Sequence, residues 1–114
     1  MSIKKLELTE RELGDAAVID IIGELTIGSS REALLEKVRG NIKANRRLLL
    51  INMSQCERVD SSGLGELVTC LVTSARHNTR LRLTDVPQQI HGLMKIANLH
   101  QAFEIFETDE AALG

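Results

Sequence analysis

The sequence is nearly free of aromatic residues: two Phe, and no Tyr or Trp, occur among its 114 residues. Proteins that bind single-stranded nucleic acid stack the bases on aromatic side chains, and two Phe provide almost no such surface. The net charge is −2, so the basic surface that attracts a phosphate backbone is also missing. These absences exclude nucleic acid from the expected partners.

Long apolar runs are missing as well. Residues 1–7 lack the apolar segment of a secretory signal, and no run approaches the roughly 20 residues of a membrane span. We therefore expect a cytoplasmic protein with no membrane span. The two cysteines, Cys56 and Cys70, do not form a C-x-x-C pair, and we expect ordinary buried or half-buried thiols without a disulfide.

Patterns that bind metals or cofactors are not found. His77, His91 and His100 fall on predicted helices or their ends, where we expect surface positions, and they form no zinc pattern with the two cysteines. Gly63 and Gly65 lack the third glycine of a dinucleotide fingerprint, and no G-K-[ST] follows them. The sequence predicts no metal and no cofactor.

What is present is an alternation of strand and helix patterns in a chain of suitable length for one small domain, residues 1–114. The predicted strands are a short one around residues 3–8, then, after a polar turn at 10–15, strands at 16–22, 48–53, 80–84 (half exposed) and 103–106. The predicted helices are one through 34–42 with a capping box of Ser29 and Glu32, one with the apolar stripe Leu64, Leu67, Val68, Leu71, Val72 and Ala75, one starting at Pro87, and a last turn capped by Thr108 or Asp109. This order predicts an α/β fold with a mixed sheet of four to five strands and about four helices.

The stretch from Val59 to Gly65 joins a buried strand to an amphipathic helix. Asp60 and Ser61 are both good N-cap residues, so one of them is expected to accept a backbone hydrogen bond and the other to face solvent. Gly63 and Gly65 each cost about 1 kcal/mol in a helix relative to alanine. Either they leave the helix start bare for a close approach by a partner or a phosphate, or they relieve crowding against the sheet.

The string Asp60-Ser61-Ser62-Gly63-Leu64-Gly65, placed between an apolar strand and an amphipathic helix, resembles the signature of the anti-sigma factor antagonists, the bacterial proteins that define the STAS domain. The resemblance implies a single STAS-type domain that binds an anti-sigma factor with serine kinase activity and so releases a sigma factor. It also implies that phosphorylation of Ser61 ends the binding. A serine phosphatase would be a further partner, and the chain would be a monomer or a small homo-oligomer.

A second segment also resembles this family, which has Gly-Glu-Leu-Asp where this chain has Gly23-Glu24-Leu25-Thr26 and therefore no carboxylate at the fourth position. A helical wheel places Glu66, Thr69, Cys70, Thr73 and His77 opposite the apolar stripe, on a face with little charge that suits docking. The predicted partner-binding residues are Gly23, Glu24, Leu25, Thr26, Asp60, Ser61, Ser62, Gly63, Leu64, Gly65, Glu66, Thr69 and Thr73.

Two other functions are alternatives to the antagonist. A serine hydrolase needs G-x-S-x-G, but Val59 occupies the place of the first glycine, so the chain is predicted not to be an enzyme. The remaining alternative is a STAS scaffold subunit, either of a stress-sensing assembly or of a lipid-transport complex. Solution size separates the two, since a free antagonist is small and a scaffold forms a large particle.

Overall fold

The computed structural model describes residues 5–27 and 32–114. Its strands and helices are β1 (Leu6–Leu13), β2 (Ala16–Leu25), α1 (Ala33–Lys43), β3 (Leu48–Val59), α2 (Ser61–Arg76), β4 (Arg80–Thr84), α3 (Gln88–Ile96), β5 (Glu104–Phe106) and a 3-10 turn (Ala111–Leu113). The described elements therefore include three α-helices, and the fourth predicted helix is a single 3-10 turn.

One five-stranded mixed sheet organises the chain. The strand order is β1-β2-β3-β4-β5; β1 and β2 are antiparallel, and the other neighbours are parallel. The α/β class and the mixed sheet are confirmed. In this topology β2 and β3 end at the same edge of the sheet, so residues that follow the two strands become neighbours.

The two faces of the sheet are covered differently. On one face the three helices pack over the main core, which includes Ile19, Ile51 and Leu67. On the other face the segment after β5 packs over a smaller cluster that contains Leu50 and Ala112. Because side chains alternate along a strand, neighbouring residues of one strand serve different cores.

The first hairpin is longer than predicted. The strand β1 continues to Leu13, through residues expected to form a polar turn, and only Gly14-Asp15 make the turn. Polar residues suit this strand because it lies at the edge of the sheet, where Arg11 forms an ion pair with Asp20 of β2 at 2.9 Å. The predicted position Ile3 lies outside the described residues.

The predicted capping box is wrong at Glu32. The helix α1 begins only at Ala33, and Glu32 is its N-cap residue, in a left-handed conformation (φ 65°) and without a side-chain capping bond among the described residues. Ser29 lies outside those residues. The cap comes from a distant residue instead: Glu66 Oε2 accepts hydrogen bonds from the backbone N–H groups of Leu34 and Leu35, at 3.1 and 3.2 Å.

The strand β4 is buried on both faces, so the prediction of a half-exposed strand is wrong. Arg82, expected to face solvent, is only 7% exposed. Its Nη1 donates to the backbone carbonyl oxygens of Ala112 at 2.6 Å and Gly114 at 3.1 Å. The alternation of apolar and polar residues along β4 predicted that one face of this strand is exposed. The segment that follows β5 covers that face.

Candidate functional site

The turn between β3 and α2 is held by one carboxylate. Asp60 is the N-cap residue of α2, and its Oδ1 accepts a hydrogen bond from the Gly63 N–H at 2.9 Å. Its Oδ2 accepts from the Ile27 N–H at 3.0 Å, which ties the segment after β2 to the start of the helix. The Ile27 and Gly63 N–H groups lower the pKa of Asp60 below its ordinary value, so the side chain is ionised at neutral pH.

Ser61 is the first residue of α2, and its side chain is exposed. The two N-cap candidates are thereby distinguished: Asp60 caps the helix and Ser61 faces solvent. Ser62 is also exposed. The turn therefore presents two hydroxyls next to an ionised carboxylate.

The two glycines of the turn differ in their surroundings. A Cβ atom built on Gly63 would overlap the carbonyl oxygen of Leu25 and lie 3.0 Å from Cγ1 of Val59. At Gly65 nothing lies within 4 Å of such an atom. Crowding against the sheet explains Gly63, whereas Gly65 leaves the first turn of α2 bare.

The end of β2 lies beside this turn and contains the segment Gly23-Glu24-Leu25, which Thr26 follows. In the parallel register Glu24 lies opposite Arg58 and Leu25 opposite Val59, and the Asp60 N–H donates to the Leu25 carbonyl oxygen at 3.4 Å. Gly23 has φ 98°, and a Cβ there would overlap the carbonyl oxygen of Lys5. The structure thus brings together the two segments on which the predicted partner surface depends.

The predicted partner-binding residues fall into three groups by exposure. The exposed ones are Ser61, Ser62, Gly65 and Thr69, and the half-buried ones are Gly23, Glu24, Asp60, Glu66 and Thr73. Leu25, Thr26, Gly63 and Leu64 are buried and support the turn from inside. The surface available to another protein is therefore the bare first turn of α2 and the helix face that continues it.

The predicted outward face of α2 is wrong at Cys70, which is completely buried, while Val72, expected in the apolar stripe, is 44% exposed. The helix packs against α1, β3 and β4, so it buries a wide arc that also takes in the small side chain of Ser74. A helical wheel shows the angular positions of the apolar residues and cannot show how wide an arc the three neighbouring elements cover. The exposed face runs from Ser61 through Gly65 and Thr69 to Val72.

Glu66 was predicted to lie on the docking surface of α2. Its carboxylate instead lies at the N-terminus of α1, where it accepts from the Leu34 and Leu35 N–H groups. The positive end of that helix dipole offsets part of its charge. The exposed face between Ser61 and Val72 is accordingly close to neutral.

Sequence reasoning missed Ile27, which follows Thr26 and is 78% exposed beside the turn. A single isoleucine followed by Gly28 and two serines is the signal that was available, because such polar loops seldom contain a large apolar residue.

Reactive thiols, a metal site and a membrane-spanning helix find little support in the described part of the chain. Cys56 and Cys70 are buried free thiols, and burial, the largest influence, raises the pKa of Cys70 to about 12. His77 is exposed as predicted, but His91 and His100 are half-buried. Among the described residues no three His, Cys, Asp or Glu side chains converge to hold a metal ion. None of the described helices is both long and apolar enough to cross a bilayer.

Solved structures show the same fold at low sequence identity. An anti-sigma factor antagonist from Mycobacterium paratuberculosis is 16% identical with a TM-score of 0.79, over 98% of this chain and 94% of that one. The phosphorylated form of the Bacillus cell fate determinant SpoIIAA is 19% identical with a TM-score of 0.68, over 95% and 96%. A sulfate transporter family protein from Wolinella succinogenes is 16% identical with a TM-score of 0.71, over 87% and 82%.

The sequence itself matches one family model, described as Mlab, STAS domain, over residues 8–107. The match spans most of the chain, from β1 to the end of β5, and includes the turn at Ser61. The chain therefore belongs to the STAS domain family.

Proposed function

We propose that this chain is an anti-sigma factor antagonist that binds an anti-sigma factor with serine kinase activity, releases a sigma factor, and is switched off by phosphorylation of Ser61. The observation that supports this most is the exposed Ser61 hydroxyl at the bare start of α2, next to the ionised Asp60. The chain acts here as a binding protein and a kinase substrate rather than as an enzyme. A cytoplasmic location and a serine phosphatase that restores the hydroxyl belong to the same proposal.

The local charges give the switch its physical basis. A phosphate on Ser61 adds about −1.5 to −2 charge at a helix N-terminus, where the dipole tolerates it. The Gly63 and Ile27 N–H groups already bond to Asp60, so the added charge lies beside an ionised carboxylate and points outward. A partner matched to a neutral hydroxyl then meets charge and bulk, and the complex dissociates without unfolding of the chain.

The test compares Ser61→Ala, Ser61→Asp and wild type for binding to candidate kinases, with Gln88→Asp as the matched control. We expect Ser61→Ala to bind with or without ATP, and Ser61→Asp to bind at least about tenfold more weakly while its unfolding midpoint stays the same. Gln88→Asp places the same charge on the exposed first residue of α3, outside the α2 face, and should retain the binding. Equal affinity of Ser61→Ala and Ser61→Asp contradicts the proposal.

Mapping of the phosphate by mass spectrometry after incubation with kinase and ATP tests the acceptor directly. The phosphate is expected on Ser61. A phosphate on Ser62 alone would overturn the assignment of the acceptor.

A scaffold subunit is the second candidate. It is favoured by the family model, described as Mlab, STAS domain, and by the fold shared with the sulfate transporter family protein, neither of which names a sigma-factor regulator. Light scattering separates the two: a monomer or small oligomer supports the antagonist, and a large particle supports a stress-sensing scaffold. Co-purification with membrane-bound transport subunits would support a lipid-transport complex.

A further inference from the structure

Four large apolar side chains are notably exposed in the described part of the chain, and two of them border the candidate site. They are Ile27, which precedes α1 and lies beside the start of α2, and Val72 on α2, at 78% and 44% exposed, and Ile96 and Leu113 elsewhere, at 85% and 38%. A single exposed apolar residue needs no explanation by itself, but the backbone of Ile27 is hydrogen-bonded to Asp60, the residue that precedes Ser61.

Ile27 is exposed although its backbone is well held. Its N–H donates to Asp60 Oδ2 at 3.0 Å, and the preceding Thr26 is buried. The same Asp60 caps α2 through Gly63, so the positions of Ile27 and of the Ser61 turn are coupled through one carboxylate. An apolar side chain on an ordered backbone loses little entropy when it binds, which is the property of an interface anchor.

The surface between the two apolar side chains suits one kind of partner. It consists of the exposed Ser62, Gly65 and Thr69, which carry no charge. A surface of this kind excludes lipid headgroups and nucleic acid as favoured ligands, because both require cations. It fits a protein whose own surface offers an apolar pocket with an uncharged rim.

We propose that Ile27 is the apolar anchor with which this chain holds the anti-sigma factor kinase, inserting into an apolar pocket of that protein while Ser61 faces the bound ATP. This inference rests on the function proposed above and adds the partner's chemistry and a residue that determines affinity. An apolar anchor of this kind acts on binding and leaves phosphoryl transfer unchanged. Kinetics separates the two effects, because weaker binding raises KM whereas slower phosphoryl transfer lowers kcat.

The experiment uses the full chain and, as the probe, the candidate kinase that phosphorylates it. Binding and phosphorylation are measured for wild type, Ile27→Ser, Ile27→Val and Ile96→Ser. Ile96→Ser is the matched control, since it makes the same change at an equally exposed isoleucine on α3, outside the α2 face.

We expect Ile27→Ser to weaken binding about 10- to 100-fold and to raise the KM for phosphorylation of Ser61 with kcat unchanged. Ile27→Val should stay within about threefold of wild type, and Ile96→Ser should match wild type. The unfolding midpoints of the two serine variants should agree, because neither side chain is in the core.

Ile27→Ser with wild-type affinity, or Ile96→Ser with an equal loss, overturns the inference. A lower unfolding midpoint for Ile27→Ser than for Ile96→Ser contradicts the free side chain on which it depends. If Ser61→Asp loses binding while Ile27→Ser retains it, only the anchor fails and the proposed function stands. If no kinase binds or phosphorylates wild type, both fail.

Discussion

Gly63 and Gly65 show how differently two residues of one type act within one helical turn. The backbone of Leu25 leaves no room for a side chain at Gly63, whereas the space at Gly65 is open. The first glycine therefore serves the fold, and the second keeps the helix start uncovered. At this scale the candidate site consists of the Ser61 hydroxyl, the Asp60 carboxylate and the open space at Gly65, where no side chain is present.

Alanine substitutions at the two glycines are expected to change stability in opposite directions. Gly63→Ala should lower the free energy of unfolding by about 3 kcal/mol, because the new methyl group overlaps the Leu25 backbone. Gly65→Ala should raise it by about 0.5–1 kcal/mol through the higher helix propensity of alanine. Chemical denaturation measures both. Gly65→Ala should also weaken partner binding, and stronger binding by this more stable variant would contradict the bare-helix interpretation.

The two thiols should be unreactive in the native state. Both are buried, and burial raises the pKa of Cys56 as well as that of Cys70, so very little thiolate is present at neutral pH. Iodoacetamide at pH 8 should label neither residue in the native protein and both in denaturant. Rapid labelling of Cys70 in the native protein would contradict its burial and would place it on the outer face of α2, where the helical wheel had put it.

At the scale of elements, a side chain of α2 caps the start of α1. The helix α1 has a left-handed N-cap residue that provides no capping side chain, and Glu66 of α2 accepts from two of its first N–H groups. Unpaired N–H groups at a helix start are costly, so this carboxylate fixes the start of α1 against α2. Glu66, which was predicted to bind the partner, thus stabilises the packing of α1 against α2.

Removal of this cap should destabilise the fold. Glu66→Ala is expected to lower the free energy of unfolding by about 1–2 kcal/mol and to speed amide hydrogen exchange at Leu34 and Leu35. Glu66→Gln retains an acceptor oxygen and should lose less. The control Glu57→Ala removes the same charge from an exposed position on β3 and should change stability by less than about 0.5 kcal/mol. Equal effects of the two alanine variants would argue against the cap.

At the scale of the whole molecule, the two faces of the sheet have separate roles. The face that holds the helices presents the Ser61 turn, and the opposite face binds the segment after β5 through buried polar groups. Asp109 is central there: its carboxylate accepts from Arg11 Nη2 at 2.6 Å, Thr84 Oγ1 at 2.5 Å and Asn52 Nδ2 at 3.1 Å. One side chain thereby connects β1, β3 and β4 to the last segment.

The hydrogen bonds of the Asp109 carboxylate should make the free energy of unfolding depend on pH in the acid range. Burial by itself would raise the pKa of Asp109, but the hydrogen bonds from Thr84, Arg11 and Asn52 outweigh it and hold the pKa below its ordinary value. A carboxyl with a depressed native pKa stabilises the fold fully above its unfolded pKa of about 3.9, and that contribution is lost as the pH falls through the native pKa.

Asp109→Asn should therefore unfold more easily than wild type at pH 7, by about 2 kcal/mol, because it removes charge-assisted hydrogen bonds. The difference should stay constant between pH 5 and 8 and shrink below about pH 4. Urea unfolding across this range measures it. A difference that grows in acid would show that the carboxylate does not contribute as the geometry indicates.

Local pattern in the sequence determined the order of strands and helices, the α/β class, and a strand-to-helix turn at which one of Asp60 and Ser61 caps the helix and the other faces solvent. These features depend on residues within a few positions of each other, where periodicity and capping chemistry act. Tertiary structure alone decided the burial of Cys70 and Arg82 and the cap that Glu66 lends to α1. Each depends on contacts between residues about 30 positions apart, such as that of Arg82 with Ala112, and hydrophobic periodicity carries no record of them.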